Sequence, residues 1–102
     1  MRIGRVAGTV VSTQKEPTLQ GVKFLLVQLV DLQGQLTAEY QVAADRVGAG
    51  VDEWVLVCEG SSARKIDRGE NLPVDAAVIG IIDTVTVEGQ LLYSKRAQAR
   101  SL

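Results

Sequence analysis

Histidine is absent from the chain, and Cys58 is its single cysteine. The first absence removes Ser-His-Asp and Cys-His nucleophile pairs, together with the commonest ligand of catalytic zinc. Catalysis would have to rest on carboxylates, Lys, Tyr or a lone thiol. The second excludes an intrachain disulfide, which suits a reducing cytosol. Aromatic residues are scarce: Phe24, Tyr40, Trp54 and Tyr93 are the four. The interior must therefore be built from Val, Leu, Ile and Ala. Neither sign of charge dominates, with 11 Lys and Arg against 12 Asp and Glu and a formal net charge of -1. That balance argues against nucleic acid or an anionic membrane as partner. No apolar run is long enough to span a bilayer, and the N-terminus lacks a secretory pattern. The expectation is a soluble, cytoplasmic chain with no catalytic, metal or cofactor site.

What is present is strand sequence. With 102 residues, 46% of them hydrophobic, the chain reads as one domain with a real core. Ile3 to Thr13 alternates as a strand, with Gly4 and Gly8 on the face of Val6 and Val10. Such a face suits a tightly curved sheet with no room for larger side chains. Lys15 to Gly21, with Pro17, reads as a loop. Val22 to Leu32 is apolar on both faces: Phe24, Leu26 and Val30 on one, Leu25, Val27 and Leu29 on the other. Gln33-Gly34 marks a reversal, and Ala38 to Ala44 reads as a strand with one wet face. Gly48-Ala49-Gly50 interrupts before a fourth strand, Glu53 to Glu59. Gly60-Ser61-Ser62 leads into a short helix over Ala63 to Arg68. Ala76 to Val87 reads as a fifth strand, again apolar on both faces, followed by a Glu88-Gly89 turn and a brief segment from Leu91 to Tyr93. Residues 1–94 form the domain, and residues 95–102 a polar, basic tail that frays or orders on contact.

This pattern predicts an all-β fold with one short helix, a small five-stranded OB-like barrel. A barrel has one inside, so strands apolar on both faces need a second cover. Too little helical sequence remains to supply it, which leaves another copy of the chain. The surface expected to meet that copy carries Leu25, Val27, Leu29, Ile79 and Ile81, together with Gly48, Ala49 and Gly50.

Several words of the sequence, in order, resemble the bacterial microcompartment vertex proteins of the CcmL/EutN family. They are Ile3-Gly4-Arg5-Val6-Ala7-Gly8-Thr9-Val10-Val11-Ser12-Thr13, Gly21-Val22-Lys23-Phe24-Leu25-Leu26-Val27, Val47-Gly48-Ala49-Gly50, Glu53-Trp54-Val55-Leu56-Val57, Gly60-Ser61-Ser62-Ala63-Arg64 and Val74-Asp75-Ala76-Ala77-Val78-Ile79-Gly80-Ile81-Ile82-Asp83. Asp52-Glu53-Trp54 departs from the Gly-Glu of many members and looks like the cyanobacterial carboxysome branch. The resemblance implies a cyclic homopentamer with a narrow axial opening, set at the vertices of a polyhedral shell beside hexameric shell proteins. The number five comes from the family alone.

Two loops carry alternatives. Gly48-Ala49-Gly50 is either a close approach between subunits or an ordinary turn requiring positive φ. Gly60-Ser61-Ser62-Ala63-Arg64 is either a serine-capped helix start or the rim of the pentamer axis, with a hydroxyl nearest the axis and Arg64 turned away. It lacks the last glycine of a nucleophile elbow and the Gly-Lys-Ser/Thr of a phosphate loop. Cys58 alternates with Trp54 and Leu56 as a packed thiol. An OB-like barrel could instead bind single-stranded nucleic acid, but that needs a basic groove with stacking aromatics. A small enzyme using Tyr40 or Asp83 would need a titratable partner that the pattern does not offer.

Overall fold

A computed structural model of the chain describes residues 1–13, 15–60, 63 and 73–100, with side chains up to residue 97. Five strands form a closed barrel: β1 (Arg2–Val10), β2 (Phe24–Val30), β3 (Leu36–Asp45), β4 (Trp54–Glu59) and β5 (Ala76–Ile81), ordered β1-β2-β3-β5-β4. Two more, β6 (Thr84–Val87) and β7 (Gln90–Ser94), pair as a separate hairpin and run into a helix, α1 (Lys95–Arg100). Pro17–Leu19 forms one 3-10 turn in the β1–β2 connection.

Neighbouring barrel strands pair antiparallel except β3 and β5, which meet in parallel over Ala44↔Ala77 and Asp45↔Val78. Register shifts interrupt β1–β2 between Val6 and Gly8, β2–β3 between Gln28 and Val30, and β4–β5 between Leu56 and Val57. Bulges of this kind bend a strand and raise its twist, as closure of so narrow a barrel demands.

The core holds Val6, Leu25, Val27, Leu29, Val55, Val57 and Val78, with Ala43, Ala49 and Ala76 filling the gaps. Leu25, Val27 and Leu29, expected on the contact surface, therefore line the barrel's interior. Alternation separates the two faces of β2 without saying which one turns inward; pairing with Thr9, Val6 and Gly4 of β1 decides it. Ile81 packs against the same core, and Ile79 against a cluster outside it. The residue pairs Leu56↔Gly80 and Val57↔Val78 leave Ile79 as the extra residue of a bulge, so it does not share a face with Ile81.

The single fifth strand expected over Ala76 to Val87 is two strands. The chain leaves the barrel at Ile82-Asp83, where the Ile82 N–H donates to the Trp54 carbonyl at 2.8 Å. Glu88 (φ 49°) and Gly89 (φ 79°) then make the tight reversal between β6 and β7. Nor is the segment after Ser94 a frayed tail over its described part. The Lys95 N–H donates to the Asp83 carbonyl at 2.9 Å, and the Ser94 hydroxyl accepts from the Ala97 N–H at 3.3 Å, which starts α1.

Much of the second cover comes from the chain itself. The hairpin folds back so that Tyr93 stacks on Trp54, ring centroids 4.3 Å apart and planes 13° from parallel. Val30, Ile82, Ile3, Leu56 and Val85 complete that cluster on the outside of the barrel. Elsewhere Ala63 seals a cluster with Ala44, Cys58 and Ala77, edged by Phe24 and Ile79.

The two glycines of β1 differ. A Cβ at Gly4 would overlap Val27 Cγ1 and stand 3.1 Å from the Gln28 carbonyl oxygen, whereas at Gly8 it would meet nothing within 4 Å. The bulge between them turns Gly8 outward, so the tight packing expected at both glycines holds at Gly4 alone. Gly4→Ala is expected to cost about 1–3 kcal/mol through overpacking, read as a lowered urea midpoint; an unchanged midpoint would mean that β1 and β2 can separate locally.

Candidate functional site

The Gly48-Ala49-Gly50 loop is organised by Asp45. Its carboxylate accepts N–H bonds from Val47 (3.1 Å), Gly48 (3.0 Å) and Ala49 (3.1 Å), with Lys23 Nζ at 3.7 Å. The Asp45 side chain is 2% exposed. Gly48 takes a φ of 74°, so the turn reading is correct there. Ala49, expected at a subunit contact, is buried in the barrel core, drawn inward by those bonds. Gly48 and Gly50 remain at the surface. The missed signal was Asp45 itself, an Asp placed to hydrogen-bond the backbone of the following turn.

A polar chain continues around the outside of the barrel. The Gly50 N–H donates to Glu53 Oε1 at 2.6 Å, and Lys95 Nζ lies 2.6 Å from Glu53 Oε2. Beside it Arg5 reaches Asp52 at 2.6 Å and Gln28 at 3.0 Å, while Gln28 donates to the Thr37 carbonyl at 2.8 Å. These bonds span β1, β2, the start of β3, the loop before β4 and the start of α1. They hold surfaces in place and bring together no acid–base pair facing a cleft.

Of the Gly60–Arg64 loop, Ser61, Ser62 and Arg64 lie outside the described residues, as does the expected helix apart from Ala63. Gly60 has a φ of 69°, its N–H donates to the Asp75 carbonyl at 2.8 Å, and its own carbonyl accepts from the Ala63 N–H at 3.2 Å. The chain thus leaves β4 and turns back at once, placing Ala63 on the barrel wall. Asp75 engages Gly60 through its backbone, and Cys58 is buried, as expected of a packed thiol.

Among the described residues, a stretch of outer wall is left open. Gly8 of β1 lies opposite Leu26 of β2, and Leu26 opposite Val42 of β3. Tyr40, on the same face, is 52% exposed and Val42 46%. A separate groove of about 430 Å³ opens where the hairpin meets the barrel, lined by Met1, Leu32, Leu56, Val85, Val87 and Leu92 with Arg2 and Asp31 also present. Neither surface figured in the sequence reading, because strand alternation cannot show which apolar faces the chain covers for itself.

The family described as ethanolamine utilisation protein EutN/carboxysome matches residues 1–83. The chain belongs to it. The carboxysome shell vertex protein CcmL of Gloeobacter violaceus is 63% identical over 100 residues, covering 98% of this chain and all of the relative. The solved structure of CcmL from that organism superposes with a TM-score of 0.90 at 64% identity, covering 94% of this chain and 99% of the other. A pentameric microcompartment shell protein of Rhodospirillum rubrum, GrpN, superposes with a TM-score of 0.76 at 45% identity, covering 85% and 98%. The family's barrel and this one are therefore the same fold, including the OB-like closure expected from sequence.

Within this fold Glu53 ties the loop before β4 to the helix after β7. The ammonium of Lys95 and then the Gly50 N–H hold the Glu53 carboxyl below its ordinary value of 4.5. The same contact raises Lys95 above its ordinary 10.5. A carboxyl whose folded-state pKa is depressed stabilises the fold fully above its unfolded value and loses that contribution as pH falls through the folded one. The raised lysine acts in the opposite sense, contributing below about 10.5 and fading as pH climbs through its folded value. Glu53→Gln keeps an acceptor for Gly50 but loses the ion pair. Its stability deficit against the parent, followed by urea denaturation, is expected to stay level from pH 6 to 8 and to shrink below about pH 4.5.

Proposed function

We propose that this chain is a structural, non-enzymatic component of a carboxysome shell, in which homopentamers occupy the five-fold vertices beside hexameric shell proteins and so support carbon dioxide fixation. The observation that carries this reading is the full-length match to a carboxysome shell vertex protein, joined to a pentameric relative with the same barrel. The physical role follows from geometry. Six-fold tiles form flat sheets, and closing such sheets into a polyhedron requires five-fold units. A rigid, self-covered barrel with its polar bonds spent on holding loops suits a building block better than a catalyst.

We propose further that in the assembled ring the Gly60–Arg64 loop rims the axis, with a hydroxyl of Ser61 or Ser62 nearest to it and Arg64 turned away. Identical residues from every copy converge there, and hydroxyls can bond to one another where like charges would repel. Gly60, free of a side chain and turned by its positive φ, supports this reading by letting backbones approach.

The nucleic-acid alternative fares worse against the structure than against the sequence. Trp54 and Tyr93 are stacked and buried, and Phe24 is half-buried with Lys15 Nζ 5.8 Å from its ring centre. Tyr40 is then the one exposed aromatic, and a single ring makes no stacking platform for successive bases. Filter binding at low salt is expected to retain no single-stranded DNA; salt-sensitive retention would revive that alternative.

Native mass spectrometry of the purified chain tests the main reading. Five copies per particle are expected, as in the pentameric relative. A monomer at micromolar concentration, or a closed ring of another size, would overturn the vertex role.

A further inference from the structure

Resting on the vertex reading, we infer that the open wall carrying Leu26, Tyr40 and Val42 seats in the hairpin groove of the next copy, with Tyr40 as its anchor. A closed ring needs a heterologous contact, in which each subunit offers two different surfaces that fit each other. The described residues hold two such surfaces, and they are unlike in shape. The wall is convex and apolar, with Gly8, Leu26 and Val42 adjacent in one row across β1, β2 and β3. The groove is concave and apolar, about 430 Å³, between the hairpin and the barrel.

Their placement also suits a ring. The groove lies between the hairpin and one end of the barrel, lined by Ile3 of β1, Val30 at the end of β2 with Leu32 just beyond it, and Leu56 of β4. The wall lies further along β2 and on β3, around Leu26, Tyr40 and Val42, and shares no residue with the groove's lining. Each subunit can therefore offer the two surfaces to two different neighbours.

Size and polarity agree. A tyrosine supplies a large apolar ring with a hydroxyl at its far end, the type of residue that dominates contact energies when it enters a pocket. The groove offers Leu32, 88% exposed, and Leu92 for the ring. Arg2 and Asp31 at its lining offer hydrogen-bond partners for the hydroxyl. Gly8 has open space where a Cβ would stand, so the wall beside Leu26 is dented and lets the neighbour's hairpin come close.

The test uses two single variants, Val42→Glu on the wall and Leu32→Glu in the groove, each checked for the parent's circular dichroism spectrum. Both positions are exposed in the single chain. Native mass spectrometry is expected to show a pentamer for the parent and a folded monomer for each variant. Mixing the two at high protein concentration is expected to give a heterodimer, because the intact groove of one variant meets the intact wall of the other. If Val42→Glu does not fold, Tyr40→Ser replaces it. A parent that is itself monomeric overturns the vertex reading and this inference with it. A pentameric parent whose variants remain pentameric, or whose monomeric variants do not pair on mixing, overturns the inference and leaves the vertex reading standing.

Discussion

Closure of the barrel rests on one short parallel contact, the two residue pairs that join β3 to β5. Every other joint in the barrel is antiparallel and longer. Alanine at both 44 and 77 lets the two strands meet where both faces are already filled, one by the core and the other by the Ala63 cluster. Asp45 completes the seam. Its N–H donates to the Lys23 carbonyl at 2.8 Å, while its carboxylate folds the next turn back so that Ala49 plugs the interior. A buried carboxylate is tolerable because several backbone N–H groups satisfy it. The seam therefore closes the barrel, whose width follows from its five strands and their stagger and limits which residues can line it.

That constraint explains what the sequence could and could not disclose. Strand periodicity marked the five barrel segments and the two-faced character of β2 and β5, since alternation is a local property. Which face of β2 turns inward is not local. It follows from pairing with β1 across a long connection, so Leu25, Val27 and Leu29 were assigned to the wrong side. Bulges add a second blind spot, because one extra residue reverses the parity of all that follows. Ile79 and Ile81 lost their shared face that way, and Gly8 turned outward while Gly4 stayed in. The separate hairpin was hidden by continuous strand-like composition from Ala76 to Val87; the break shows only in the pairing, where β5 ends at Ile81 and β6 joins β7 in a sheet of its own.

Two-faced strands do demand a second cover, and the chain itself supplies part of it. Trp54 and Tyr93 show how a chain almost without aromatics meets the demand alone: the hairpin spends one of its few large side chains on sealing the barrel's side. With Ala63 sealing another side, the apolar surface that the described residues leave open on β2 and β3 is a strip around Leu26, Tyr40 and Val42.

A strip of that size has energetic consequences for assembly. Full burial of a large apolar side chain contributes about 1.5–3 kcal/mol, and these residues begin half-buried, so each contributes less. Against this stands an association cost of roughly 4–15 kcal/mol for every free subunit immobilised. One joint alone is therefore weaker than the closed ring: it holds a pair together at high protein concentration, while an open string of subunits comes apart on dilution. The contact that closes a ring is different, because it forms between ends already held together and so escapes most of the association cost. Modest joints thus favour complete rings over fragments and let misplaced subunits dissociate before closure. A wall covered mostly by its own chain does not weaken the case for a ring; it makes closure, rather than any single contact, the source of the assembly's stability.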